Sequence, residues 1–422
     1  MTNASLADSF ATAEAMLAHA ADTDIRTAAR RAAAVAAEYA DIVDAEGRFP
    51  TEAVAALREQ RLLGAAIPPK HGGMGATLAD ITATCRLLGE ACASTAMIYA
   101  MHQSQLWCLL EHAPHDLWHA ALLQRLATAQ GLVASATSEE TIGGNLRHSK
   151  CAIVSDGQGG FTLTKRVPTL SYGAHADAIL ISGRRAPDAL PGDQVLVTVL
   201  REDCRLEAIG SWNTLGMRGT CSSGFAVQAS GGIVQILPTE FADIAHETML
   251  PVSHLLWSAV WLGIATDAVH RGQRYLRADA RQRNGATPFG AARLADAIGL
   301  LRMLDSRIET LLDGRTHGTS TDTPTDTSSS ASVIGRAARG RRGSASGYEG
   351  TLAMNDLKVR ASLMALDVVG HVLRLCGMAA YRNDTPYSVG RHLRDLHAAP
   401  LMINNDRISA SMATLALAHR AV

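Results

Sequence analysis

The chain has 422 residues, and its 39 basic and 40 acidic side chains leave a formal net charge of −1. That balance excludes the basic excess typical of nucleic-acid-binding proteins, and a hydrophobic content of 47% excludes a largely disordered chain. The most apolar long stretch, around Leu255 to Val269, is interrupted by Thr266 and Asp267, so we expect no membrane span. The first residues show no basic, apolar leader, which predicts a cytoplasmic protein.

The first third of the chain is predicted to be helical. Its Ala-rich composition and its Gly and Pro breaks favour four helices: Ser5 to about Val43, Thr51 to Leu62, Leu78 to Ala93 and Ser94 to His112. The segment PPKHGGMG, from Pro68 to Gly75, is predicted to be a loop between the second and third of these helices.

From about Gly131 the sequence changes to short β-rich runs separated by Gly, Pro and Asp. These runs are Phe161 to Lys165, Ala178 to Ser182, Gln194 to Leu200, Phe225 to Gln228 and Ile233 to Leu237. Because no helical period lies between them, they predict an antiparallel β-domain rather than βαβ units.

Helical patterns return after Leu250. Four helices are predicted: Val252 to about Arg283, Ala291 to Asp313, Ala353 to Cys376 and Asn404 to His419. The Ser/Thr- and Arg-rich segment at about 317–344 has the composition of a surface insertion. The predicted fold is therefore α+β and mostly α. It has an N-terminal helical domain (1–130), a middle barrel-like β-domain (131–248) and a C-terminal four-helix bundle (249–422).

No metal site is expected. The seven cysteines are scattered and form no Cys-x-x-Cys pair, and the sixteen histidines show no ligand spacing. Such cysteine usage is typical of a reducing compartment, where each thiol is a small buried side chain.

Five phrases, in order along nearly the whole chain, resemble the acyl-CoA dehydrogenase superfamily, which contains flavoprotein dehydrogenases and related flavin-dependent monooxygenases. The phrases are AAIPPKHGGMG (Ala65 to Gly75), GLVASATSEE (Gly131 to Glu140), KRVPTLSYGAHAD (Lys165 to Asp177), WNTLGMRGT (Trp212 to Thr220) and CGMAAY (Cys376 to Tyr381), the last followed by Leu393-Arg394-Asp395. The resemblance implies the fold given above and a flavin cofactor, FAD, or FMN in an oxygenase.

The resemblance also implies which residues contact the cofactor. Four hydroxyl side chains match the two loops that hold the flavin ring: Thr137, Ser138, Thr169 and Ser171. Their alternative role is the capping of ordinary turns. One position departs from the family, because the tryptophan that stacks on the ring in many relatives is Val167 here.

Three further residues match positions that reach the rest of the dinucleotide. Arg281 corresponds to an arginine near the pyrophosphate, with Arg283 as a second candidate. Arg374 and Gly377 match a Gln and a Gly that contact the FAD of a neighbouring subunit, so a homodimer or homotetramer is implied.

The catalytic glutamate of the dehydrogenases is absent. Aligned on the segment that follows Arg394-Asp395, its position is Ile403, and the alternative base position falls on Ser253. Neither residue is a carboxylate. The candidates to replace the base are His254, next to Ser253, and Asp406, whose other interpretation is a surface carboxylate at a helix start.

In relatives the catalytic glutamate lies in a Tyr-Glu-Gly-Thr phrase that follows the Arg-Asp pair. Here the same four letters occur only at Tyr348 to Thr351, before the third C-terminal helix, and we interpret them as a coincidence.

Three functions are compatible with these observations. The first is an FAD-dependent oxidoreductase that dehydrogenates an acyl thioester, bound to CoA or a carrier protein, with a non-standard base and an electron-transfer partner. The alternative is a flavin-dependent monooxygenase that uses O2 and a separate flavin reductase, which accounts for the missing glutamate. The third is a non-catalytic protein that binds a thioester or flavin.

Overall fold

The computed structural model of the chain describes residues 24–140, 146, 148–282, 288–317 and 345–418. The first part of the predicted helix from Ser5 lies outside these residues. So do Arg283 and the predicted surface insertion, apart from His317. The predicted fold class is confirmed: helices, a small region of sheet, and a helix bundle follow one another along the chain.

The N-terminal part consists of α-helices. They are α1 (Ile25–Glu46), α2 (Thr51–Glu59), α3 (Leu78–Ala91), α4 (Ala93–His112) and α5 (Leu117–Ala129). Helix α5 was not among the predicted elements, although Asp116 marks its start by accepting a hydrogen bond from the His119 backbone N–H at 2.8 Å. In the predicted loop, a side chain at Gly73 would place its Cβ 1.9 Å from the Ile67 carbonyl oxygen, so the turn requires glycine.

The middle part contains two sheets. Its strands are β1 (Val133–Ala136), β2 (Val154–Ser155), β3 (Gly160–Val167), β4 (Ala178–Arg184), β5 (Gln194–Leu200), β6 (Cys204–Ala208) and β7 (Phe225–Gly232). One sheet has the order β1-β4-β5 and the other the order β2-β3-β7-β6.

The prediction of a purely antiparallel domain was wrong in one pair of strands. Strands β1 and β4 pair in parallel, with Val133 opposite Ala178. The crossover between them passes through strands β2 and β3 of the second sheet instead of a helix, so no helical period in the sequence indicated it.

The strand predicted at Ile233 to Leu237 was also wrong. Residues Ile233–Gln235 form a 3-10 turn. The Gln235 side chain accepts a hydrogen bond from the Gly232 backbone N–H at 2.6 Å and donates to the Thr198 carbonyl at 3.0 Å. These two hydrogen bonds stabilise the turn at Ile233–Gln235 instead of an extended strand.

The C-terminal part begins with α6 (Phe241–Ile244) and a π-helical turn (Ala245–Met249). It continues with α7 (Leu250–Gln282), α8 (Ala291–His317), α9 (Ala345–Cys376), α10 (Met378–Tyr381), α11 (Gly390–Leu396) and α12 (Asn405–Ala418). Helices α7, α8, α9 and α12 are the four predicted ones. The third starts at Ala345 instead of Ala353, so Tyr348 to Thr351 lie within its first two turns.

Helices α7 and α9 run in the same direction, as the first and third helices of an up-down bundle do. A Cβ at Gly272 of α7 would touch Val372 and Leu375 of α9, at 3.3 and 3.4 Å. Nearer the start of both helices, the charge of Lys358 acts on His254.

Two glycines bring the N-terminal helices and the bundle into backbone contact. A Cβ at Gly89 of α3 would lie 2.5 Å from the Val260 carbonyl oxygen, and one at Gly263 of α7 would lie 2.2 Å from the Arg86 carbonyl oxygen. Neither position has room for a side chain, so α3 and α7 cross at the closest distance that helices allow.

The segment Phe241–Gln282 is long and apolar enough to span a membrane, but 89% of its most apolar window is buried within the protein. It is the central helix of the bundle, and buried helices of this kind can be as long and apolar as a membrane-spanning helix.

Candidate functional site

The LGMRGT turn and the Arg-Asp pair, which lie far apart in sequence, interlock. The Met217 backbone N–H donates to Asp395 Oδ1 at 2.6 Å. A Cβ at Gly216 would lie 2.1 Å from the Arg394 carbonyl oxygen, so glycine is required there. Arg394 itself pairs with Asp44 of α1. Burial raises the pKa of Asp395 to about 6.

The two predicted cofactor loops meet beside this turn. Ser138 Oγ donates to the Thr169 carbonyl oxygen at 2.9 Å, and the two hydroxyl oxygens are 3.4 Å apart. Ser222 Oγ donates to Ser171 Oγ at 2.8 Å and lies 2.8 Å from Thr220 Oγ1. The structure thus gathers three of the four predicted hydroxyls and adds two, Thr220 and Ser222, that the sequence analysis missed.

The backbone of this cluster is unusual. Tyr172, Met217 and Cys221 have φ values of +45°, +52° and +46°, in the left-handed region that residues other than glycine seldom adopt. The Tyr172 N–H donates to the Thr220 carbonyl at 2.8 Å, which holds the two loops together. Non-glycine residues in this region are concentrated at binding sites.

These loops fit the edge of a flavin ring in the type of groups they offer. Thr137 follows β1 directly and is half-buried, while Thr169 is exposed, so hydroxyl and main-chain groups remain at the surface of the cluster. Val167 is fully buried in β3 and offers no face for stacking on a ring.

The predicted dinucleotide contacts lie at the opposite end of the bundle from His254. Arg281 is exposed in the last turn of α7, and Arg374 is exposed in the last turn of α9. Gly377 follows α9, exposed and with φ +55°. Arg281 is 27 residues beyond His254, or about 40 Å of helix. One ligand cannot contact both ends within a subunit.

A buried lysine, Lys358 of α9, acts on both positions at which relatives carry the catalytic base. It bonds to Ile403 at one position, and its charge acts on His254 next to the other. Its Nζ donates to the Ile403 carbonyl at 3.2 Å and to Asn405 Oδ1 at 2.7 Å. Asn405 Nδ2 in turn donates to Ser362 Oγ at 3.0 Å. Ile403 has φ +45°, which is strained for a β-branched residue.

The other base position lies on α7, where Ser253 and His254 are both buried. Burial, followed by the charge of Lys358, lowers the pKa of His254 to about 3, although the Met354 backbone opposes this shift. Neither ring nitrogen has a hydrogen-bond partner of good geometry. At neutral pH His254 is therefore an uncharged imidazole.

Lys358 was missed by the sequence analysis. The nearest indication is its place four residues before Ser362 on a helix that is otherwise apolar on this side. Its partners Ile403 and Asn405 are more than forty residues away, so no local spacing marked the site.

Asp406, the other candidate base, is exposed in the first turn of α12, whereas its neighbour Asn405 is buried. Its backbone N–H donates to Asn404 Oδ1 at 2.8 Å. This placement favours the alternative interpretation, a carboxylate at a helix N-terminus. Glu349 of the Tyr-Glu-Gly-Thr phrase is exposed on α9.

A second buried lysine, Lys165, opens the predicted flavin loop phrase. Its Nζ donates to the carbonyl and hydroxyl oxygens of Ser182, at 2.7 and 3.1 Å. Burial lowers its pKa to about 8, and the charges of Cys151 and Glu139 oppose this shift.

A cavity of about 420 Å³ lies between α1, Arg218 and the segment around α11. Two of its arginines form ion pairs: Arg391 with Asp41 at 3.1 Å, and Arg394 with Asp44. None of the predicted site residues lines this cavity.

Metal chemistry finds no support in the part of the chain that the structure describes, where no three His, Cys, Asp or Glu side chains are grouped. All seven cysteines are free.

Comparisons with known proteins agree with this architecture. Residues 20–130 match the acyl-CoA dehydrogenase N-terminal domain. The whole structure superimposes on FMN-bound TdsC from Paenibacillus sp. A11-2 with a TM-score of 0.79 and 17% identity, over 96% of this chain and 98% of that one. The chain therefore has the fold of the acyl-CoA dehydrogenase-like flavoproteins, and its first part matches the N-terminal domain of that family.

Relatives with similar sequences include oxygenases. It is 23% identical over 386 residues to the oxygenase subunit HsaA of a flavin-dependent monooxygenase from Rhodococcus jostii, covering 85% of this chain and 88% of that one. It is 30% identical over 190 residues to L-evernosamine nitrososynthase from a Micromonospora species. That alignment spans 44% of each protein, less than half the length of the relative.

Proposed function

We propose that this protein is a flavin-dependent monooxygenase, which takes reduced flavin from a separate reductase and uses O2 to oxidise a small organic molecule. The observation that carries the proposal is the chemistry at the two base positions. One is a neutral carbonyl bonded to an ammonium group, and the other adjoins an uncharged, buried imidazole.

These groups are unsuited to dehydrogenation of an acyl thioester. That reaction needs a base that accepts a proton from the α-carbon of the substrate. Lys358 is an ammonium group that donates to two oxygens and has no lone pair to accept a proton, and burial strongly disfavours protonation of His254. A monooxygenase needs no such base, and flavin-dependent monooxygenases are among the relatives of the chain.

The cofactor we propose is FMN, the flavin bound in the similar TdsC structure. A bound flavin would supply the redox chemistry, and the protein would orient it and exclude water. In this proposal Ser138, Thr169 and Ser171 hold the ring edge by hydroxyl and main-chain hydrogen bonds. Arg281, Arg374 and Gly377 stay predicted contacts to a cofactor bound by a neighbouring subunit.

The test compares two ways of supplying electrons to the purified protein. In the first, the FMN-loaded protein is mixed without oxygen with a panel of acyl-CoA esters. In the second, chemically reduced FMN is added and its reoxidation by O2 is followed with and without the protein. We expect no bleaching of flavin by any ester, and reoxidation kinetics that differ from those of free FMN.

Two results would contradict the proposal. Anaerobic bleaching by an acyl-CoA ester would restore the dehydrogenase hypothesis and make a search for its base worthwhile. Failure of the protein to bind FMN or FAD would leave the non-catalytic hypothesis.

A further inference from the structure

We infer that Lys358 and His254 form the binding site for an anionic oxygen group on the substrate, such as a carboxylate, phenolate or sulfinate. The inference deepens the proposed function, because it names the class of substrate that the same buried site selects. It rests on an imbalance between hydrogen-bond donors and acceptors in this part of the bundle.

Lys358 has a donor to spare. An ammonium group carries three N–H donors, and two of them are used by the Ile403 carbonyl and Asn405 Oδ1. Both acceptors are neutral. Among the described residues no carboxylate pairs with Lys358, although its side chain is 0% exposed. A buried ammonium without a counter-charge is strongly destabilising.

Helix α7 contributes further unmatched groups on one face. His254, Trp257 and Trp261 follow one another at spacings of three and four residues, and all are at least nine-tenths buried. Neither nitrogen of the His254 ring has a hydrogen-bond partner of good geometry, although the Met354 backbone acts on the ring, and the indole N–H groups of Trp257 and Trp261 have no partner. The His254 and Trp257 ring centroids are 6.3 Å apart.

The third N–H of Lys358 and the two indole N–H groups lack an acceptor, and the N–H of His254 has none of good geometry. A neutral imidazole offers one N–H, an indole offers one, and an ammonium offers a positive charge as well. An anionic oxygen satisfies the Lys358 charge and accepts from the imidazole, whereas a neutral ligand oxygen leaves the charge uncompensated. The indole rings supply apolar surface for the remainder of an organic anion.

The test measures the preference for anions directly, by calorimetric titration of the full-length protein with benzoate and acetate and with their neutral amides. We expect the wild-type protein to bind the better carboxylate on the order of 30-fold more tightly than its amide, typical of a buried charge pair. Lys358→Met and the neutral, hydrogen-bonding Lys358→Gln should both abolish this preference.

Arg360→Met is the matched control, because it removes an exposed positive charge two residues beyond Lys358 on the same helix. It should leave the preference unchanged. If no carboxylate binds the wild-type protein more tightly than its amide, or if both Lys358 variants keep the preference, the inference is wrong. The comparison of carboxylate with amide in the wild-type protein tests the inference even if the variants do not fold.

Titration with FMN separates this inference from the proposed function. Carboxylate binding that depends on Lys358 in a protein without flavin affinity would support the anion site and contradict the monooxygenase proposal. Normal FMN binding without any carboxylate preference would contradict the anion site and leave the monooxygenase proposal standing.

Discussion

The β-sheet region and the helix bundle each bury one lysine, and the two lysines differ in what surrounds them. Lys165 of β3 donates to both oxygens of Ser182 and lies in the field of the buried Glu139. Lys358 of α9 donates to two neutral oxygens, and burial alone shifts its pKa. Burial lowers both pKa values to about 8.

The difference separates a structural charge from one that is available to a ligand. Glu139 is itself held by the backbone N–H groups of Lys150 and Cys151 at 2.9 and 3.1 Å, so the negative charge that acts on Lys165 is fixed within the fold. Around Lys358 no such charge is provided by the described residues, and both of its hydrogen-bond acceptors are neutral oxygens. Equal burial and equal pKa therefore do not imply equal roles.

The largest expected effect is on stability, at Lys165. Lys165→Met should lower the free energy of unfolding by about 2 kcal/mol, because the loss of the donor to both Ser182 oxygens and of the positive charge acting on Glu139 outweighs the removal of a buried ammonium. Urea denaturation at neutral pH measures this loss. A variant as stable as the wild type would contradict the assignment of Lys165 as a structural charge.

Asp395 extends the comparison to a buried carboxylate. Its raised pKa means that the folded state holds the proton more tightly, so wild-type stability should fall as the pH rises from about 4 to about 6. Asp395→Asn keeps an acceptor for the Met217 N–H and should be more stable than the wild type above that range, by about 1–3 kcal/mol. Unfolding curves at several pH values check this. A difference that does not change with pH would contradict it.

Lys358→Met should change stability much less than Lys165→Met. Loss of the uncompensated ammonium stabilises the fold, while the Ile403 carbonyl and Asn405 Oδ1 lose a donor, so we expect a net change within about 1 kcal/mol at neutral pH. Because the pKa of Lys358 is lowered, its destabilising effect is complete below about pH 8 and fades toward about pH 10.5. A loss as large as that of Lys165→Met would remove the distinction between the two lysines.

The hydroxyl cluster should show smaller effects, on cofactor affinity. Ser138→Ala or Ser171→Ala should weaken FMN binding about fivefold each, the amount expected for one hydrogen bond. Quenching of flavin fluorescence measures the affinity. Ser104→Ala is a suitable control, because that hydroxyl bonds only to the Ala100 carbonyl of its own helix. Unchanged affinity in both site variants would assign these hydroxyls to turn capping.

The smallest effect is expected at Asp406. Asp406→Asn should change neither FMN affinity nor oxygen-dependent turnover by more than about twofold, since its exposed carboxylate makes at most a weak surface interaction. A loss of activity of a hundredfold or more, with FMN affinity unchanged, would instead support the sequence-based hypothesis that Asp406 is a base.

The sequence predicted most of the helices because their apolar periods and capping residues are local. It failed where distant segments decide the structure. The parallel pairing of β1 with β4 depends on a crossover through the second sheet. The 3-10 turn at Ile233–Gln235 depends on a bond from Gln235 to Thr198.

The same limit applies to the site. Ser138, Thr169 and Ser171 were predicted as cofactor contacts because each lies in a phrase of the family, and the structure places Ser138 against Thr169 and Ser171 against Ser222. Lys358 lies in no such phrase. Its role depends on the groups that the fold places around it, above all the Ile403 carbonyl and the α7 side-chain nitrogens without hydrogen-bond partners. Composition and spacing do not show which groups these are.

The crossing of α3 and α7 at Gly89 and Gly263 also bears on how ligands reach the buried site. With backbone against backbone and no side chains between them, these helices cannot slide or rotate without a clash. The N-terminal helices and the bundle therefore act as one rigid frame. Any opening that admits a substrate must come from the segments outside that crossing, such as the loops that carry the hydroxyl cluster.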